Sequence, residues 1–234
     1  DVEQCIHDEH PDCVCVELDE QRYKALTDEK RWQELDIIEV LKSGKGFLLL
    51  ANLVLAAFQK RMGADVGVKP GDEMKAAITA AKELSIKTEL VDRPIHITLK
   101  RAWAKNNLWG KSKLLATLLS SAFSTEKLSA DEIEALKDKS EMDSMMAEMA
   151  EYLPQVKEAL IDERDRYLAT KIWNAAGKKT VAVLGAGHLE GTAAYLEKLQ
   201  NGTAPNDVSD IADVPPKSGF AKISGWILPA LIVL

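Results

Sequence analysis

Residues 13–18 read C-V-C-V-E-L, and this short segment decides the fold class. Its apolar residues fall on both faces of an extended chain, which is typical of a strand buried in a parallel sheet. Two further segments, K87-T-E-L-V-D92 and K179-T-V-A-V-L-G185, have a similar strand-like character. Helical patterns lie between the strands, for example at about residues 19–27 and 154–174. The order of elements predicts an α/β fold with a small parallel sheet, surrounding helices and a long helical insert.

The chain is predicted to contain one large domain followed by a tail. Residues 1–200 carry the three strands and most of the helices, including predicted helices at 34–43 and 46–62. The helical insert, at about 104–150, is expected to form a lid or a dimerisation arm, so a homo-oligomer is among the expectations. Residues 201–216 are polar and contain proline, which predicts a linker.

The C-terminal segment, residues 217–234, ends in an uncharged apolar run that begins at Ile223. A membrane-spanning helix needs about 20 such residues. The run is therefore interpreted either as a docked terminal segment or, preferably, as the start of a membrane anchor with Trp226 at the interface. Lys217 and Lys222 precede the run, which favours a cytoplasmic globular domain by the positive-inside rule. The prediction is an integral membrane protein.

Composition excludes some classes of protein. The 234 residues carry a net charge of −7, which opposes nucleic-acid binding because the neutralisation of phosphates needs a basic surface. The three cysteines, Cys5, Cys13 and Cys15, lie too close together for a disulfide framework. Free thiols are therefore expected.

Polar side chains come at or after the end of each predicted strand. Glu17 follows the apolar residues of the first strand, Asp92 and Arg93 close the second, and His188 follows the third. Ligands bind outside the carboxyl ends of the strands in open α/β sheets, so we expect these side chains to converge at one edge. Each of them has an ordinary structural alternative, such as a helix cap or a plain ion pair. Their convergence is what indicates a functional site.

His188 is the most informative single residue. It lies between glycines at the predicted start of a helix, where the helix dipole disfavours the imidazolium form. A neutral imidazole suits a metal ligand or a general base, whereas the structural alternative is a histidine that caps its own turn. The segment G185-A-G-H-L-E-G191 lacks both the glycine spacing of a dinucleotide loop and the serine of a nucleophile elbow. The segment H7-D-E-H10 lacks the spacing of a zincin helix, so a metal site there is not favoured.

Five motifs, in the right order within about residues 1–200, resemble those of the TraB/PrgY family. They are P11-D-C-V-C-V-E-L-D-E20, G67-V-K-P-G-D-E-M74, L90-V-D-R-P-I-H-I-T-L-K-R101, I161-D-E-R-D165 and V183-L-G-A-G-H-L-E-G191. This family is related to the TIKI proteases and, more distantly, to the erythromycin-esterase and ChaN-like proteins. The resemblance implies a metal-dependent hydrolase with C-terminal membrane helices. TIKI relatives cleave peptides, and PrgY-like members limit the activity of peptide pheromones.

The resemblance also implies which residues bind the metal. The second G-x-x-H motif of the family corresponds to Gly185–His188, and its glutamate corresponds to Glu17. These ligands suit Mn²⁺, Zn²⁺ or Co²⁺. The first G-x-x-H motif is expected to precede residue 1, so a further ligand is expected from outside this sequence.

Four further charged residues fall on family-typical positions and are candidates for catalysis. They are Glu73, Arg93, Arg101 and Arg164. Glu73 is a candidate general base or further metal ligand. Arg93 or Arg164 is a candidate for stabilising the developing oxyanion, a role that needs a fixed positive donor.

The leading functional hypothesis is the metal-dependent hydrolysis of peptides. The alternative is a membrane-tethered protein that binds or sequesters peptides without cleaving them, and haem capture, as in ChaN-like relatives, has little support. The methionine-rich segment 141–149 predicts an adaptable apolar surface for peptides or self-association. Ordinary packing of that segment against the protein's own core is the preferred interpretation.

Overall fold

The computed structural model describes residues 2–27, 71–123, 139–175 and 177–215. The helices predicted at 34–43 and 46–62, and the C-terminal segment 217–234, lie outside these residues.

A three-stranded parallel sheet forms the centre of the fold. Its strands are β1 (Cys13–Val16), β2 (Lys87–Leu90) and β3 (Thr180–Val183). Their order in the sheet is β2–β1–β3, with Val16 level with Leu90 and Val183. All four residues of β1 are buried, as expected for a central strand that is apolar on both faces.

Helices surround the sheet and account for most of the described chain. They are α1 (Val2–Glu9), α2 (Glu20–Thr27), α3 (Asp72–Glu83), α4 (Ile95–Lys105), α5 (Leu108–Phe123), α6 (Lys139–Tyr152), α7 (Pro154–Lys157), a π-helical segment (Glu158–Asp162), α8 (Glu163–Trp173), α9 (Ala186–Gln200) and α10 (Ser209–Ala212). The α7 helix, the π-helical segment and α8 follow one another directly and form the long helix predicted at 154–174. The predicted α/β class with a small parallel sheet is confirmed.

Alternate residues of β1 enter two different apolar cores, because successive side chains of a strand point to opposite faces. Val14 and Val16 pack with α1 and α3 on one face. Cys13 and Cys15 pack with Leu168 of α8 on the other face. Burial raises the pKa of the Cys15 thiol to about 12, and all three cysteines are free thiols.

The helical insert packs on a smaller apolar cluster away from the sheet. The buried residues of this cluster are Leu114 from the insert and Leu153 and Val156 from the segment that follows it. Trp103 and Leu160 pack against them. Several side chains of the methionine-rich segment 141–149 lie outside the described side chains, so the predicted peptide-binding surface stays a prediction. The roles of the insert as a lid or a dimerisation arm also stay predictions.

Within the described ranges, no helix combines the length and the apolar character needed to cross a membrane. The apolar helix α5 has only 16 residues, whereas a span needs about 20. The prediction of an integral membrane protein is wrong on this finding and is withdrawn. The segment that motivated the prediction, 217–234, lies outside the described residues.

Candidate functional site

Three of the four side chains predicted to converge, those of Glu17, Asp92 and His188, meet at the carboxyl edge of the sheet. Arg164 of α8 connects the first two, because its Nη2 lies 2.7 Å from Glu17 Oε1 and 2.6 Å from Asp92 Oδ2. His188 Nε2 lies 3.8 Å from Glu17 Oε1. These contacts join residues that are separated by up to 171 positions in the sequence. The parallel register explains the convergence, since it brings the carboxyl ends of all three strands to one level.

The His188 imidazole is buried and held from both sides. Its Nδ1 lies 2.5 Å from Asp165 Oδ1 on α8, while its Nε2 faces Glu17. The ring therefore contacts a neighbouring helix, and no side-chain cap is formed at the start of α9. The alternative of a histidine that caps its own turn does not fit this geometry. An imidazole with one ring nitrogen oriented by a carboxylate is typical of metal ligands and of general bases.

Asp165 is a site residue that sequence reasoning missed. Burial raises the pKa of its carboxyl, and the contact with His188 opposes that rise. The helices α8 and α9 approach closely here because Gly191 has no side chain, and a Cβ at this position would lie 1.9 Å from Asp165 Oδ2. Gly191 follows His188 by three positions, which places both on one helical face. The spacing of His188 and Gly191, together with the I161-D-E-R-D165 motif, is the sequence signal from which Asp165 could have been predicted as a site residue.

The Glu17 carboxylate is fixed by two donors. Its Oε2 accepts a hydrogen bond from the backbone N–H of Gly185 at 2.7 Å, and its Oε1 accepts one from Arg164. A Cβ at Gly185 would lie 3.3 Å from Glu17 Oε2, which is a tight contact. The G-x-x-H turn thus contributes both a backbone donor to Glu17 and the imidazole beside it.

Asp92 binds two guanidinium groups at once, those of Arg164 and Arg22. Burial alone would raise the pKa of its carboxyl, but the two cations hold that pKa below its ordinary value. The neighbouring Asp19 accepts backbone hydrogen bonds from Arg22 at 2.9 Å and from Ile95 at 3.0 Å. Asp19 thereby ties α2 to α4 at the margin of the site, a role that the sequence did not indicate.

The structure places Arg93 and Arg101 on Glu163 rather than on the Glu17–His188 cluster. Arg93 is fully buried, and its Nη1 lies 2.8 Å from Glu163 Oε2. Arg101 approaches both oxygens of the same carboxylate, at 2.7 Å and 2.8 Å. Lys105 adds a third cation, 2.6 Å from Glu163 Oε1. Both guanidinium groups therefore face the protein interior.

The three cations dominate the electrostatics of Glu163. Burial opposes ionisation of the Glu163 carboxyl, but Arg101, Lys105 and Arg93 together lower its pKa to about 2. Glu163 immediately precedes Arg164 and Asp165 in α8. Three consecutive residues of α8 therefore bind three different groups. Glu163 binds Arg93 and Arg101. Arg164 binds the carboxylates of Glu17 and Asp92, and Asp165 binds the His188 imidazole.

Glu73 lies apart from these groups. It occupies the exposed first turn of α3 and accepts a hydrogen bond from the Gly71 N–H at 3.2 Å. Of the ion pairs and hydrogen bonds among the described residues, none joins Glu73 to Glu17, Arg164 or His188.

His188 and Glu17 are the residues at this edge that the sequence analysis predicts as metal ligands. In the part of the chain that the structure describes, no group of three or more His, Cys, Asp or Glu side chains is arranged to hold a metal ion. Two donors fall short of the three protein ligands that are typical of a catalytic metal. His188 and Glu17 alone therefore do not make a complete metal site among the described residues, and Asp165 orients the imidazole.

Comparison with known proteins supports the same family. The chain matches the TraB/PrgY/gumN family model over residues 1–203. An uncharacterised protein of Methanocaldococcus jannaschii is 36% identical over 212 residues, which cover 89% of this chain and 51% of that protein. TraB domain-containing proteins of Bos taurus and Homo sapiens are each 30% identical over 250 residues, covering 96% of this chain and 64% of those proteins.

This chain thus spans between half and two thirds of the length of these relatives. The family match extends across all three strands and includes Glu17, Arg164, Asp165 and His188. It agrees with the resemblance of the five sequence motifs, and the chain belongs to the TraB/PrgY/gumN family.

Proposed function

We propose that Glu17 and His188 are two ligands of a divalent metal ion and that the protein uses this metal to hydrolyse peptides. The observation that carries the proposal is the geometry of the imidazole, whose Nδ1 is bound to Asp165 and whose Nε2 faces Glu17 at 3.8 Å. Two atoms that each bind one Zn²⁺ ion at about 2.0–2.2 Å lie within about 4 Å of each other. The separation of Nε2 and Oε1 meets this condition.

The side chains around these two ligands have separate roles in the proposal. Asp165 fixes the ring orientation of His188, and such orienting carboxylates strengthen metal binding. Arg164 supplies a fixed positive donor beside Glu17, suited to the negative charge that develops on a peptide carbonyl oxygen. A bound Mn²⁺, Zn²⁺ or Co²⁺ ion would supply Lewis-acid chemistry and an activated water.

Three of the predicted catalytic residues have no direct role in this proposal. Arg93 and Arg101 bind Glu163 inside the protein, and Glu73 is exposed on α3. The two arginines support the site from the core, through Glu163. Peptides are proposed as the substrate class because the five motifs resemble a family whose TIKI relatives cleave peptides.

Metal analysis of the purified full-length protein tests the ligand assignment. We expect the wild type to retain about one equivalent of metal after dialysis. The His188→Ala variant should retain at most about a tenth of that amount. Glu17→Gln should show a similar loss. His7→Ala is the matched control, because this half-exposed histidine pairs with Glu83 on α3 at 3.8 Å and should leave the metal content unchanged. A wild type with no more metal than His188→Ala would contradict the proposal.

A peptide library then separates hydrolysis from binding alone. Turnover that stops with a chelator, returns with added metal and is absent in His188→Ala is the expected result. Retention of peptides without turnover by the metal-loaded wild type would instead favour the alternative, a protein that sequesters peptides.

A further inference from the structure

The polar segment after α9 is docked on the domain. We call residues 203–213 the strap. The Tyr195 hydroxyl donates to the Pro205 carbonyl at 3.2 Å, and the side-chain amides of Asn174 and Asn206 bind each other at 2.8 Å and 2.9 Å. Ile211, in the short helix α10, is only 4% exposed. These contacts attach a segment predicted as a linker to α8 and α9.

Three arginines from outside the strap bind it. Arg93 Nη1 donates to the Ile211 carbonyl at 2.8 Å, and Arg101 Nη1 donates to the carbonyl of Asp213. Arg166 of α8 binds both carboxylate oxygens of Asp210, at 2.7 Å and 2.8 Å. The strap therefore contacts the same two arginines that bind Glu163.

The charge balance of this region indicates what the strap contributes. Glu163 is a single buried carboxylate facing Arg93, Arg101 and Lys105, so positive charge is in excess even though Glu158 also pairs with Lys105. The two strap carbonyls supply acceptors to the buried guanidinium groups. If the strap left, these donors would lose their partners in the interior, and unpaired buried donors are costly.

Arg93 also connects the strap to the helix that carries the site. Its Nη2 donates to the Ala159 carbonyl at 2.9 Å, within the π-helical segment that directly precedes α8. Segments of π-helix are locally irregular and frequently lie at functional sites. One guanidinium group thus binds the strap, the π-helical segment and Glu163 together.

A movement of Glu163 necessarily affects its neighbours in the helix. Arg164 holds Glu17 and Asp92, and Asp165 holds His188. Because these three residues are consecutive in one helix, a shift of the backbone at Glu163 would also move the supports of Glu17 and His188.

We propose that the strap is a conformational control element of the site: its seating on Arg93 and Arg101 determines whether Arg164 and Asp165 hold Glu17 and His188 in place. The strap acts on the geometry of these side chains, so its effect holds whether or not the cluster binds a metal.

Hydrogen exchange of the full chain with the Ile211→Ala substitution tests the proposal. Loss of the buried side chain should unseat the strap while leaving Arg93, Arg101 and Glu163 unchanged. We expect amide exchange to accelerate about tenfold or more in the strap, at residues 159–166 and at residues 186–191. Exchange in α3 and β2 should change by less than about twofold. The matched control Ile211→Val keeps most of the buried volume and should stay close to wild type.

Two results would overturn the proposal. Acceleration confined to the strap would show that the strap is only a passive attachment. Equal acceleration in the site, α3 and β2 would show a general loss of stability without specific coupling. Asp210→Asn is a milder second variant that removes the ion pair with Arg166 and decides the question if Ile211→Ala does not fold. We expect Asp210→Asn to accelerate amide exchange in the same segments as Ile211→Ala, but by a smaller factor.

Discussion

Replacement of Glu163 with glutamine is expected to lower the free energy of unfolding by about 3–5 kcal/mol at pH 7. The reason is the imbalance of buried charge, since Arg93, Arg101 and Lys105 would then face a neutral amide. Urea unfolding of the wild type and the variant measures this difference. Glu158→Gln is the matched control in the same long helix, because Glu158 is half-exposed and pairs with Lys105 at the surface. Glu158→Gln should lower the free energy of unfolding by no more than about 1 kcal/mol.

The same substitution should change how stability depends on pH. The pKa of Glu163 falls from an ordinary value of 4.5 to about 2 in the folded protein. The ionised carboxylate therefore contributes fully to stability above about pH 4.5, and this contribution is lost as the pH falls towards 2. The contribution of the ionised Glu163 carboxylate to the free energy of unfolding amounts to about 3 kcal/mol. The difference in free energy of unfolding between the wild type and Glu163→Gln should therefore become smaller as the pH falls below 4.5. A difference that stays constant over this range would contradict the assignment.

Gly191→Ala is expected to have the second large effect. The added Cβ would lie 1.9 Å from Asp165 Oδ2, so either the carboxylate or the helix α9 must move. We expect a loss of about 3 kcal/mol or more in the free energy of unfolding, from overpacking and from the broken contact with His188. Urea unfolding gives the energy, and the NMR signals of the His188 imidazole report the loss of its Asp165 partner.

The chain offers a close control for this substitution. Gly187 lies in the same helix, and a Cβ there would meet no atom within 4 Å. Gly187→Ala should therefore be neutral or stabilise the protein by up to about 1 kcal/mol, as alanine favours the helical conformation. Equal losses for Gly187→Ala and Gly191→Ala would mean that the close approach of α8 and α9 is not what requires glycine at position 191.

The two substitutions also separate stability from function. Glu163→Gln weakens the support of α8 from the arginine side, whereas Gly191→Ala acts directly on the carboxylate that orients His188. If the proposed metal site is correct, Gly191→Ala should lose metal together with His188→Ala even where the protein remains folded. Metal retained by folded Gly191→Ala would show that the Asp165 contact is dispensable for binding.

The sequence by itself determined the strands and the edge at which the site lies. An apolar run such as C13-V-C-V is recognisable because burial on both faces leaves a local pattern. Once the three strands are known to be parallel, their carboxyl ends must lie at one edge of the sheet, and Glu17, Asp92 and His188 all follow those ends. The family could likewise be recognised because each of its motifs, such as I161-D-E-R-D165, is a short continuous stretch of sequence.

Only the tertiary structure decided which charges pair. In the sequence, Arg101, Glu163 and Asp165 look like ordinary solvated residues of helices, because an ion pair between distant segments leaves no local periodicity. Their partners depend on how closely α8 and α9 pack and on which backbone carbonyls the strap presents. The charged residues therefore divide into a Glu163 cluster and a Glu17–His188 cluster only when the chain is folded.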